Sequence, residues 1–139
     1  MSHILSTVLL DTDYAINFLR GLPEARDIII PLWQENSAFL SLLSVYELYA
    51  GMRAKEKRET DNFINACRIE PITMELTKNA GEYRYKYQQR GITLSIVDCF
   101  IAETARIGTH RIATNNKKHY PESSFYPVND FNADSFSSR

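Results

Sequence analysis

Four carboxylates stand where apolar runs give way to helices: Asp11 and Asp13 in VLLDTDYAINFLRG (8–21), Glu47 in SLLSVYELYAGM (41–52) and Asp98 in GITLSIVDCFIAETA (91–105). Carboxylates brought within a few ångströms of one another repel, and at least one proton affinity rises unless a cation lies between them. Oxygen ligands with no His or Cys partner select a hard ion, Mg²⁺ or Mn²⁺, which keeps several waters and acts on phosphates. The same spacings also have a purely structural reading. Ser44-Val-Tyr-Glu47 and Ser95-Ile-Val-Asp98 fit the Ser-x-x-acid capping box, and Asp13 suits the positive end of a helix. The two readings are compatible, because a helix start also favours an ionised carboxylate.

The elements that must position these acids are short apolar runs alternating with amphipathic ones. Residues 6–10 read as a strand, followed by a helix that Gly21 and Pro23 stop. A second helix is expected over 27–35, a buried strand over 38–43, a helix beginning at Ser44, and a charged helix over 56–67. A strand over 68–72 ends at Thr73, which caps a long helix to Arg90 and Gly91. Ser95 then opens an apolar helix closing at Gly108, residues 111–113 form a strand, 125–128 a last strand, and 132–139 a frayed tail. Such alternation implies an α/β fold, a mostly parallel sheet covered by helices on both faces. Ligands of such sheets bind beyond the carboxyl ends of the strands, where Asp11 and Glu47 are expected to converge. Asp98 precedes the fourth strand, in a helix that does not clearly follow one.

Composition narrows the classes further. The 139 residues make one domain, with 44% hydrophobic and 24% charged residues, an ordinary globular balance. A formal net charge of −1 argues against a broad positive field that coats nucleic acid, while leaving room for a local site. Cys67 and Cys99 form no CxxC pair and no disulfide framework, which suits a reducing compartment. The apolar run 4–10 lacks a basic leader and a small-residue cleavage site, and no stretch reaches membrane-span length. A cytoplasmic location with no membrane partner is the expectation.

The four blocks VLLDTDYAINFLRG, SLLSVYELYAGM, GITLSIVDCFIAETA and RIATNNKKHYPESSFYPVNDF, in this order, resemble the PIN-domain ribonucleases, specifically VapC-type toxins of bacterial toxin–antitoxin pairs. The resemblance spans nearly the whole chain. It implies a PIN-like three-layer sandwich, an endoribonuclease activity with Mg²⁺ (Mn²⁺ possible), and metal-binding acids at Asp11, Glu47 and Asp98, assisted by Thr12. It also implies RNA as substrate, a cognate antitoxin that plugs the site, and a homodimer or a toxin–antitoxin hetero-oligomer. In the fourth block Thr114 matches, but Asn116 and His119 stand where many relatives carry another Asp. A neutral Asn116 oxygen holds a second ion less tightly than a carboxylate.

Other features are weighed against simpler roles. Lys117, Lys118 and His119 suit backbone phosphates or a solvated turn. Tyr83 and Tyr87 share a helix face and are assigned to packing in the core or a dimer, and Trp33 to packing or to a groove for an antitoxin helix. Two rival functions remain. A haloacid-dehalogenase-like phosphatase would use Asp11 as nucleophile and Asp13 as acid, although Tyr14-Ala15 is not the small continuation that class shows. A noncatalytic domain binding antitoxin or RNA would fit the missing fourth acid.

Overall fold

The computed structural model describes residues 7–128. The expectations for residue 6 and for the 132–139 tail lie outside the described residues. A parallel four-stranded sheet in the order β3-β2-β1-β4 forms the middle layer, from β1 (Val8–Leu10), β2 (Ala38–Ser41), β3 (Arg68–Glu70) and β4 (Arg111–Ala113). Val8 pairs with Ala38 on one side and Arg111 on the other, and Phe39 pairs with Arg68. The helices are α1 (Thr12–Leu19), α2 (Pro23–Gln34), α3 (Leu42–Gly51), α4 (Lys57–Ala66), α5 (Met74–Gln88) and α6 (Ile96–Gly108).

The period of two in a strand sends alternate side chains to opposite faces, and both faces of β1 and β2 are dry, while the edge strand β3 is exposed. Val8, Leu10, Ala38, Leu40 and Ala113 point into one core, which α1, α2 and α4 complete with Tyr14, Ala15, Ile29, Leu32 and Phe63. Leu9, Phe39 and Ile112 point into the other, covered by Ile101, Ala102 and Ala105 of α6 and by Tyr120. α5 packs outside α6 through Ala80, Tyr87, Leu94 and Cys99. The sandwich expected from strand–helix alternation is the one found. Among the described residues, no helix is long and apolar enough to cross a membrane.

Several boundaries differ from the sequence reading, among them β3, which stops at Glu70 rather than running to residue 72. α2 starts at Pro23 rather than at residue 27, because proline's fixed φ and missing N–H suit a first helical position. β2 ends at Ser41, whose hydroxyl caps α3 by accepting from the Leu43 N–H at 3.1 Å, so the helix begins two residues earlier than Ser44. The last strand contracts to one parallel bridge between Ile112 and Phe125. Pro121 and Pro127 flank that bridge and offer no ladder donor.

The aromatic assignments to packing hold. Trp33 sits edge-on to Phe18 with ring centres 4.8 Å apart and donates its ring N–H to Cys67 Sγ at 3.2 Å. Tyr83 and Tyr87 stack 5.0 Å apart, and the Tyr83 hydroxyl donates to the Pro121 carbonyl at 2.6 Å. Both cysteines are free and buried, and burial pushes both thiols up to about 11.

Candidate active site

Beyond the carboxyl ends of β1 and β2 lies a cavity of about 310 Å³ whose walls include Asp11, Thr12, Asp13, Glu47 and Asp98. Asp11 follows β1 and is the N-cap of α1, with one carboxylate oxygen, Oδ1, accepting from the Tyr14 N–H at 2.6 Å. Its other oxygen, Oδ2, accepts from the Thr114 hydroxyl. Thr114 follows β4, and the β1–β4 register that pairs Leu10 with Ala113 places it beside Asp11. Asp11 is only 3% exposed. Burial raises its pKa to about 7, with the Asp13 and Asp98 charges adding to the rise and the bonds from Thr114 and Tyr14 opposing it. An ionised Asp11 is therefore poorly compensated by the protein alone.

Thr12 donates to Ser44 Oγ at 2.9 Å, tying the start of α1 to the first turn of α3. Ser44 is fully buried in that bond and caps nothing. Glu47, one turn further along the same face, is thus not the third residue of a capping box, and the structural explanation of the Ser44–Glu47 spacing falls away. Asp98 keeps half of its explanation, since its N–H donates to Ser95 Oγ, the N-cap of α6, at 3.0 Å. Its carboxylate lies 3.5 Å from Nδ1 of His119.

The fourth block contributes unevenly. His119 lines the cavity. The Asn116 N–H donates to Thr114 Oγ1 at 2.9 Å, so Asn116 supports Thr114, and it does not line the cavity. Lys117 lies over the Phe125 ring, 5.7 Å from its centre, and Lys118 is exposed; neither reaches the cavity wall. One participant had no sequence signal. Tyr120, 2% exposed, lines the cavity and brings its hydroxyl to 3.5 Å from Asp11 Oδ2. Asp13, read only as a helix-end charge or a phosphatase acid, lines the same wall.

Among the described residues, no three His, Cys, Asp or Glu side chains converge closely enough to form a closed cation cage as they stand. The donor chemistry nonetheless fits a hard cation: the wall holds four carboxylates, with no Cys among its residues. Mg²⁺ uses one or two carboxylates and completes its shell with water and substrate oxygens, so a cage is not what it needs. A second cavity of about 540 Å³ adjoins the first, sharing Thr12, Asp13 and Glu47 and bordered by Arg20, Arg53 and Lys55.

Several known proteins are similar to this chain. The family model described as PIN domain matches residues 8–120. Ribonuclease VapC10 of Mycobacterium tuberculosis is 32% identical over 114 residues, covering 82% of this chain and 86% of that protein. Ribonuclease VapC19 of the same organism is 32% identical over 116 residues, covering 81% and 91%. Among solved structures, DNA-bound VapBC from Salmonella typhimurium superimposes with a TM-score of 0.75 at 19% identity, over 88% of this chain and 98% of that one. VapBC2 from Rickettsia felis, bound to a promoter DNA fragment, gives 0.73 at 18%, over 88% and 99%.

Proposed function

From the premise that this chain belongs to the PIN-domain family, we propose that it is an endoribonuclease toxin of the VapC type, neutralised by a protein antitoxin. The single observation that carries the reading is the cavity at the carboxyl edge of the sheet, onto which Asp11, Glu47 and Asp98 open from three separate elements. Asp11, Glu47 and Asp98 are the residues we assign to hold Mg²⁺, with Mn²⁺ as its substitute, directly or through water. When bound, such an ion lowers the proton affinity of a coordinated water and offsets charge developing on the scissile phosphate.

The chain's own groups do the rest. The water oxygen would add to phosphorus while one of the three acids takes its proton, the bond to the 3′ oxygen would break with that oxygen taking up a proton from solvent, and the ends left would be 5′-phosphate and 3′-hydroxyl. Thr114 holds the buried Asp11 carboxylate in place. Thr12, through Ser44, keeps the first turn of α3 and with it Glu47 at the wall. Lys117 and Lys118, beside the cavity but off its wall, are available to phosphates further along the strand. Arg20, Arg53 and Lys55 border the adjoining cavity, where neighbouring backbone phosphates or the antitoxin would pass.

The haloacid-dehalogenase reading loses its footing, because family membership accounts for Asp11 without a phospho-aspartate. The test is cleavage of RNA by the purified chain with Mg²⁺. Asp98→Asn should lower the rate at least a hundredfold while its circular dichroism spectrum stays that of the parent. Equal cleavage by parent and Asp98→Asn would refute the assignment. No cleavage by the parent in any structured RNA, together with no new RNA ends after induction in cells, would favour the noncatalytic alternative.

A further inference from the structure

Tyr120 lines the same cavity wall as Asp11 and Asp98. Its hydroxyl donates to Asp11 Oδ2 at 3.5 Å, and Asp98 opens onto the same cavity wall from α6. A phenol carries one proton to donate, and here that donor meets an acid following β1 on a wall shared with an acid of α6. The ring is fixed from behind, 2% exposed and packed in the core with Leu9, Ile101 and Ile112. The backbone holds it from the other side, since the turn Lys117–His119 closes with the Tyr120 N–H donating to the Lys117 carbonyl at 3.0 Å.

We propose that Tyr120 is a positioning residue for the cation site, its hydroxyl bridging Asp11 and Asp98 and holding the two carboxylates at a fixed separation before the ion arrives. The inference rests on the nuclease reading and adds to it a group that sets the spacing of the acids. Two repelling carboxylates without a shared donor move apart, and a cation must then draw them back, which weakens its binding. Hydrogen-bonding partners one step outside the ligands typically contribute about ten- to a hundredfold in metal affinity. Because a bound ion takes over the work of drawing the acids together, the loss should be recovered at saturating metal.

Tyr120→Phe removes the oxygen and keeps the ring in its core. Mn²⁺ binding to the purified, metal-free chain, followed by electron paramagnetic resonance and titration calorimetry, should weaken about ten- to a hundredfold, and RNA cleavage at saturating Mn²⁺ should stay within about threefold of the parent. In an Asp98→Asn background the same substitution should cost markedly less affinity, since one end of the bridge is already gone. Should Tyr120→Phe fold poorly by its metal-free melting curve, Tyr120→Met is the second hydroxyl deletion, because a flexible thioether fills the ring's space. Unchanged Mn²⁺ affinity in a folded variant overturns the inference and leaves the nuclease reading standing, as does an affinity loss of the same size with and without Asp98. A parent chain that binds no Mn²⁺ and cuts no RNA overturns both.

Discussion

At the scale of single residues, the chemistry is concentrated in the burial of Asp11. In an unfolded chain this carboxyl titrates near 3.8, whereas in the fold burial lifts it to about 7. Below pH 4 both states are protonated and the group does not affect stability. As pH rises from about 4 to 7, the unfolded chain gives up its proton while the fold resists. The stability of the metal-free protein therefore falls across that window and levels off above it. At about 1.4 kcal/mol per tenfold change in proton affinity, the loss at pH 8 is on the order of 4 kcal/mol. Asp11→Asn, which keeps the shape and an oxygen for the Tyr14 N–H, should remove this slope: its metal-free melting temperature at pH 8 should exceed the parent's, while at pH 4 the two should nearly coincide. Added Mg²⁺ should raise the melting temperature of the parent alone. A parent whose metal-free stability rises between pH 5 and 8, relative to Asp11→Asn, would contradict the account of Asp11.

At the scale of elements, the first turn of α6 carries one acid of the site. Ser95 caps α6 through the N–H of Asp98 itself, so one residue both starts the helix and sets the direction of an acid. Ser95→Ala should cost about 1 kcal/mol of stability and also weaken Mn²⁺ binding. A cap far from the site, such as Thr73, which accepts from the Leu76 N–H at 3.0 Å, should lose stability alone when changed to Ala. Equal metal affinity in both variants would separate the cap from the site. The other end of α6 has a steric constraint. A side-chain carbon at Gly108 would overlap the His110 ring and the Glu70 carboxylate, which are themselves bonded to each other. Gly108→Ala should therefore cost about 1–3 kcal/mol by overpacking, read as a lower denaturant midpoint. The starts of α1 and α6, which carry Asp11 and Asp98, were legible because capping is local in sequence. The start of α3 was not, because Ser41 and Ser44 are equally good caps on paper and only the length of β2 chooses between them.

At the scale of the whole molecule, the sheet divides the interior into two cores that share a backbone but few side-chain partners. Ile29 of α2 lies wholly in one and Ile112 of β4 wholly in the other, both fully buried. Ile29→Val and Ile112→Val should each cost about 0.5–1.5 kcal/mol, and the double variant should lose their sum to within about 0.5 kcal/mol in denaturant titration. A strong departure from additivity would show that the layers do not pack independently. The same division explains the location of the cavity, since strands buried on both faces leave only their ends for chemistry.

The amino-acid order by itself determined the alternation of short apolar strands with capped helices, the placing of Asp11 and Asp98 at helix starts, and the packing roles of Trp33, Tyr83 and Tyr87. Those features arise from neighbours a few positions apart, where period and capping geometry are fixed by the backbone. Only the tertiary structure decided that Ser44 is the partner of Thr12 rather than a cap, that Asn116 supports Thr114 instead of facing the cavity, and that Tyr120 reaches Asp11. Thr12 and Ser44 are 32 positions apart and Asp11 and Tyr120 are 109. Contacts of that span are set by strand order and register, because parallel pairing of β1 with β2 and β4 brings the ends of distant segments to one edge.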